Sequence, residues 1–169
     1  EGRTGPVVIE IPLDVQGAIV DDKHCRAVSS INTSTRIVET TNAQQSIASA
    51  LSNAKRPLVL LGIGTIRAAI DKQIVQALDE TGVPYVTTQF ARSAGRRKDP
   101  LFLGSPGIKG NRSANLAVIN CDTLIAIGTS LHQQIIGWDS LAFKNSQSHK
   151  IWLEVDRDNL QTRCHLVDE

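Results

Sequence analysis

The chain has 169 residues, 41% of them hydrophobic and 21% charged, enough for one domain that buries roughly 68–70% of its unfolded surface. A formal net charge of +1 gives no electrostatic reason to expect nucleic acid or an anionic membrane as a partner. No apolar run approaches the ~20 residues of a membrane helix, and the N-terminus lacks a signal-peptide pattern.

Cys25, Cys121 and Cys164 contain no Cys-x-x-Cys pair. That argues against a disulfide framework and fits a reducing compartment, the cytoplasm. His24-Cys25 and Cys164-His165 are poor zinc ligands, because adjacent residues point in different directions, so no metal site is expected. With no methionine anywhere, the chain reads as a piece cut from something longer.

In chain order, Val7 to Ile11 is β-branched and stopped by Pro12, the pattern of a strand. It has no partner strand nearby. Asp21 to Thr40 is polar and aperiodic and reads as a linker. A helix follows, capped by Thr41 or Asn42, with Ile47, Ala50, Leu51 and Ala54 on its apolar face. Pro57 to Leu61 is a continuous apolar run, as in a strand buried on both faces. Gly62-Ile-Gly-Thr65 then turns the chain. A second helix carries Ile70, Ile74, Ala77 and Leu78 and closes at Gly82, where a left-handed C-cap falls.

Val83 to Thr88 reads as the next strand, and Gln89 to Gly110 as a long loop. The basic cluster in that loop, Arg92, Arg96, Arg97 and Lys98, reads as solvated. Asn111 or Ser113 starts a helix through Leu116 and Ile119. Thr123 to Ile127 and Ile151 to Val155 are two more strands, ended by Gly128 and Asp156. Leu131 to Phe143 reads as a loop with a short helix, and Cys164 to Val167 as the start of a last strand. Strands alternating with helices predict a doubly wound α/β domain, a mostly parallel sheet with helices on both faces, from about residue 43 to the C-terminus.

In such sheets ligands sit at the carboxyl ends of the strands, where the strand order switches. Gly62 and Gly64 would let backbone amides approach a pyrophosphate beside a helix N-terminus; alternatively they form only a tight strand-to-helix turn. The dinucleotide fingerprint is half present. Arg67 stands where a third glycine belongs, and Thr88 and Gln89 stand where an acidic residue would hold a ribose, which disfavours a standard NAD dehydrogenase. Thr129 and Ser130 offer hydroxyls beside Gly128. Asp156 could accept from a ribose hydroxyl, although capping the following segment is the better reading.

No Gly-x-Ser-x-Gly elbow, P-loop or His-Glu-x-x-His is present. The acidic pairs Asp21-Asp22 and Asp79-Glu80 read as surface, and His132 as a hydrogen-bonded loop residue, so no catalytic residue is assigned.

Four segments in order carry a family resemblance. They are Gly5-Pro-Val-Val-Ile-Glu-Ile-Pro-Leu-Asp-Val-Gln16, Gly104-Ser-Pro-Gly-Ile-Lys-Gly-Asn-Arg-Ser-Ala-Asn115, Cys121-Asp-Thr-Leu-Ile-Ala-Ile-Gly128 and Lys150-Ile-Trp-Leu-Glu-Val-Asp156. Together the chain resembles the central domain of thiamine-diphosphate-dependent enzymes of the acetolactate synthase and pyruvate decarboxylase type. The resemblance implies that residues 1–16 close a preceding pyrimidine-binding domain, 17–42 are a linker and 43–169 are the central domain. It further implies a six-stranded parallel unit that binds FAD or ADP in some members and no nucleotide in many others.

Carried over, the candidate nucleotide edge is Gly62, Gly64, Thr88, Gly128, Thr129, Ser130 and Asp156. Flavin-binding members tend to carry an Arg and paired Asp after the strand ended by Gly128. Here the run is Leu131-His-Gln-Gln134, which counts against FAD. Thiamine diphosphate and Mg²⁺ belong to the parent enzyme, which the resemblance implies to be a homo-oligomer. The activating glutamate and the Gly-Asp-Gly motif would come from the pyrimidine- and diphosphate-binding domains, so this chain alone is expected to bind neither cofactor and to turn over no 2-oxo acid. The alternatives are a self-standing FAD- or NAD-type nucleotide-binding domain and a ligand-free interaction domain.

Overall fold

The computed structural model describes residues 5–21, 41–144 and 146–169. The chain forms two compact units, Glu1–Val38 and Glu39–Glu169. In the first, the expected strand at Val7–Ile11 is absent. These residues have no partner in a ladder, and they run irregularly into a single helical turn, α1 (Leu13–Gln16). Most of the linker expected after it lies outside the described residues.

The second unit is the α/β layer predicted from the alternating pattern. α2 (Thr41–Asn53) places Ile47, Ala50 and Leu51 against the core. Thr41 and Asn42, expected as caps, are its first two residues, and their side chains lie outside the description. β1 (Pro57–Leu61) is followed by α3 (Ile63–Arg67), α4 (Asp71–Thr81) and β2 (Tyr85–Thr87). α4 ends on Gly82 at φ 69°, the left-handed C-cap expected there. Its buried side chains are Val75 and Leu78, whereas Ile70 and Ala77 face outward. Of the predicted stripe, Leu78 is buried and Ile74 packs against the core, while Val75 is buried in place of Ile70 and Ala77.

After β2 the chain forms a 3₁₀ turn at Gln89–Ala94 and an isolated parallel bridge between Tyr85 and Phe102, so the expected long loop is locally ordered. α5 (Arg112–Asn120), β3 (Thr123–Ile127), the short helices α6 (Gln133–Ile136) and α7 (Ser140–Lys144), β4 (His149–Leu153) and α8 (Arg157–Arg163) complete the unit. α5, the helix expected through Leu116 and Ile119, buries Ala114 and packs Ala117 and Val118 inward, with Leu116 and Ile119 exposed.

The four strands are all parallel, in the order β2-β1-β3-β4. Leu58, Leu60, Leu124, Ala126 and Trp152 point into one core, with α5, Phe143 and Leu166 over them. Val59, Leu61, Ile125 and Ile151 point into the other, with α2 and α4 over them. Successive side chains thus alternate between two dry faces, which is why the strands read as unbroken apolar runs.

β4 begins and ends two residues earlier than predicted, and Val155 is 78% exposed. The shift brings Lys150, only 2% exposed, into the strand. Its Nζ donates to the carbonyls of Ser148 (2.8 Å), Lys144 (3.2 Å) and Ser146 (3.4 Å), which makes burial of the ammonium tolerable. Cys164–Leu166, expected as a strand, is a 3₁₀ turn. The pairing occurs just beyond it: Glu169 N donates to Lys150 O (3.1 Å) and Trp152 N to Glu169 O (2.9 Å), as neighbours in a parallel ladder do.

Candidate functional site

β1 connects to β2 on one side and β3 lies on the other, so the strand order switches between β1 and β3. Gly62 ends β1 and Gly128 follows β3, and the two turns touch there. Gly62 N donates to Ile127 O (2.8 Å) and Gly64 N to Gly128 O (2.9 Å). A Cβ on Gly62 would lie 2.1 Å from Gly128 O, and one on Gly64 would lie 2.8 Å from Gly128 Cα. Gly128 itself has φ 61°. The glycines are required because two backbones pass within van der Waals contact.

The segment that follows β3 is held by two further side chains. Trp152 Nε1 donates to Thr129 O (2.7 Å), and one nitrogen of the Arg163 guanidinium donates to Ser130 O (2.8 Å) and Leu131 O (3.0 Å). Four consecutive carbonyls, from residues 128 to 131, are therefore each bound by a protein donor. Leu131, buried and at φ 44°, is held in a left-handed conformation that a non-glycine residue rarely adopts. The amides of Thr129 and Ser130 have no acceptor among the described residues. Inward carbonyls and free amides at a sheet edge suit an acceptor-rich ligand group.

Gly62, Gly64, Gly128, Thr129 and Ser130 thus come together at one junction. Thr88 sits at the neighbouring strand end, buried, with its amide donating to Leu61 O (2.8 Å). Asp156 caps α8: its carboxylate accepts from Asp158 N (3.1 Å), Asn159 N (3.4 Å) and Asn159 Nδ2 (3.2 Å). The cap reading of Asp156 holds. Trp152 and Arg163 escaped sequence reading, since Arg163 reaches Ser130 across 33 residues and nothing local marks it.

His132 caps α6, its Nδ1 accepting from Gln134 N (3.3 Å). Asp79 forms an ion pair with Arg96. Of the residues weighed for zinc, His24 and Cys25 lie outside the description, and no group of three His, Cys, Asp or Glu converges among the described residues.

Clefts open on the surface formed by the described residues. One, of about 330 Å³, lies beyond β2 and is lined by Arg92, Gly95, Arg97, Phe102, Gly104, Ser105 and Asn111. Another, of about 680 Å³, lies at the opposite, amino edge of the sheet between α2, Thr123, His149 and Glu169. In it burial works against the Asp122 carboxylate, but the amides of Arg56 (3.0 Å) and Lys55 (2.9 Å) outweigh that and hold its pKa low. Elsewhere burial pushes the Tyr85 phenol up to about 12 and the Cys121 thiol upward, and lowers Lys150.

The sequence holds no Gly-Asp-Gly run, and the described residues gather no acidic set for a divalent ion. They do not fit thiamine diphosphate and its Mg²⁺, and no chemical step runs through that cofactor here. Among the described residues no helix is long and apolar enough to cross a membrane.

The family described as "Thiamine pyrophosphate enzyme, central domain" matches residues 44–167. The probable acetolactate synthase large subunit of Methanocaldococcus jannaschii is 30% identical over 139 residues, 80% of this chain and 24% of that protein. The acetolactate synthase large subunit of Corynebacterium glutamicum is 33% identical over 138 residues, 80% of this chain and 22% of that protein. The 3D-(3,5/4)-trihydroxycyclohexane-1,2-dione hydrolase of Clostridium perfringens is 29% identical over 155 residues, 92% of this chain and 24% of that protein. The chain spans about a quarter of the length of these curated relatives. With its glycine-joined parallel sheet, the chain belongs to the central-domain family of thiamine pyrophosphate enzymes.

Proposed function

We propose that this chain serves as the architectural centre of a thiamine-diphosphate-dependent lyase or synthase acting on 2-oxo acids, a cytoplasmic homo-oligomer in its complete form. Residues 1–16 close the preceding pyrimidine-binding domain, 17–42 link, and 43–169 space the two catalytic domains and shape the entrance to their active site. The activating glutamate, Mg²⁺ and cofactor belong to those neighbours. One observation carries the architectural role: the amides of Gly62 and Gly64, which would face a diphosphate, are spent on Ile127 O and Gly128 O. A junction whose two glycine amides are already paired suits spacing better than ligand exchange.

The unbonded amides of Thr129 and Ser130 favour a second reading, in which the same edge holds the diphosphate of ADP or FAD. Purification of the full-length protein separates the two. The architectural reading expects turnover of a 2-oxo acid with thiamine diphosphate and Mg²⁺, and no stoichiometric flavin or adenine nucleotide released on denaturation. A released nucleotide supports the second reading, and absence of any thiamine-dependent turnover refutes the first. The 169-residue chain alone is expected to bind no cofactor, and calorimetry showing micromolar affinity for thiamine diphosphate and Mg²⁺ refutes that.

A further inference from the structure

We propose that the cleft between the 3₁₀ turn after β2 and the start of α5 is a binding site for a small oxyanion, a phosphate or a carboxylate. The basic run Arg92, Arg96, Arg97 and Lys98 does not act as one solvated patch. Arg96 is neutralised by Asp79, and the other nearby carboxylate, Asp99, is engaged by the Tyr85 hydroxyl (3.0 Å) and the Leu101 amide (2.9 Å). Arg92 and Arg97, which both line the cleft, form no ion pair with any described carboxylate. An anion in the cleft meets two cationic side chains on its lining, neither paired with a described carboxylate.

The floor supplies a hydroxyl. Ser105 is 4% exposed, and its Oγ makes only long contacts, 3.4 Å to Thr87 Oγ1 and 3.4 Å from Arg92 Nε. Such a hydroxyl can turn to a better acceptor at little cost. The start of α5 adjoins the cleft through Asn111. Asn111 occupies the N-cap position of the nine-residue α5, yet its side chain does not cap it. Its Oδ1 accepts from Ser105 N (2.7 Å) and its Nδ2 donates to Leu103 O (2.9 Å), so the first-turn amides of α5 are left for another acceptor. Gly104, at φ 102°, allows this: a Cβ there would lie 2.2 Å from Asn111 Oδ1. At about 330 Å³ the cleft admits phosphate, diphosphate or a short dicarboxylate.

The site is separate from the Gly62–Gly128 junction and does not rest on the proposed function. The test titrates the full chain with inorganic phosphate, diphosphate and succinate, read by ¹H–¹⁵N shifts. The expected result is saturable, salt-sensitive shifts confined to Ser105, Arg112, Ser113 and the Arg92 and Arg97 side chains. Arg92→Met and Arg97→Met each weaken affinity about tenfold or more, as loss of a charged hydrogen bond does, while Lys98→Met, which removes the same charge outside the cleft, changes it less than about twofold. Saturation by the phosphates alone, or by succinate as well, identifies the oxyanion. No saturable shift with any probe by about 10 mM, weaker than ~3 kcal/mol of binding, overturns the proposal. So does equal weakening by Lys98→Met, which marks diffuse charge attraction.

Discussion

Replacing Gly62 by alanine tests whether the junction between β1 and β3 is as tight as its geometry states. The added Cβ falls 2.1 Å from Gly128 O, 2.5 Å from Gly128 C and 2.6 Å from Thr129 Cα. All three are backbone atoms, so no side chain can swing aside, and the two turns must separate by about 1 Å to restore ordinary contact. That separation breaks the bonds from Gly62 N to Ile127 O (2.8 Å) and from Gly64 N to Gly128 O (2.9 Å), each contributing about 1 kcal/mol. Strain from overpacking adds about 1–3 kcal/mol. The sum is ~3–5 kcal/mol, and at about 2–4 °C per kcal/mol for a chain of this size the melting temperature falls by roughly 6–20 °C. Thermal unfolding followed by far-UV circular dichroism measures it. A melting temperature within about 2 °C of wild type would show that the turns are not packed as described.

Three other substitutions probe the same framework. Arg163→Met removes both donors to Ser130 O and Leu131 O. It should cost about 2 kcal/mol and speed exchange of the Gly128 amide, bonded to Leu153 O, before the rest of the sheet; unchanged exchange there rules the clamp out. Asp156→Ala uncaps α8 and should cost about 1 kcal/mol, lowering the urea midpoint with unchanged slope, whereas Asp156→Asn should retain most of the stability.

Tyr85→Phe loses the bond to Asp99 (3.0 Å) and should be about 1 kcal/mol less stable near pH 8. Because burial raises the Tyr85 pKa from 10.0 to about 12, its protonated form stabilises the fold fully below pH 10, and that stability is lost as pH rises through 12. The wild type should therefore lose stability faster than the phenylalanine variant above pH 10, so that the difference between them shrinks. Parallel alkaline curves would contradict the buried phenol.

The elements legible in the sequence are those whose boundaries are set by their own residues. β1 and β3 are apolar runs closed by glycine, and α4 stops at a glycine whose left-handed conformation few other residues adopt. β4 was displaced because His149 and Lys150 look like loop residues. Only the carbonyls of residues 144, 146 and 148, gathered by the fold around one ammonium, make Lys150 a strand residue. α5, expected through Leu116 and Ile119, forms there, but which face it buries is decided by the packing of Ala114 in the core, and its larger neighbours Leu116 and Ile119 are left outside.

The same division runs through the candidate site. The identities of Gly62, Gly64 and Gly128 could be read, because glycine at a strand end has few other uses. What each glycine touches could not, since the partner of Gly62 is another turn rather than a ligand. The basic run shows the point with charge. Four cations adjacent in sequence read as one solvated loop, yet Asp79, presented by α4, takes Arg96 out of the set and leaves Arg92 and Arg97 on one cleft. Local residue type states which groups need a partner, and the parallel sheet, by stacking distant turns along one edge, decides which partner each receives.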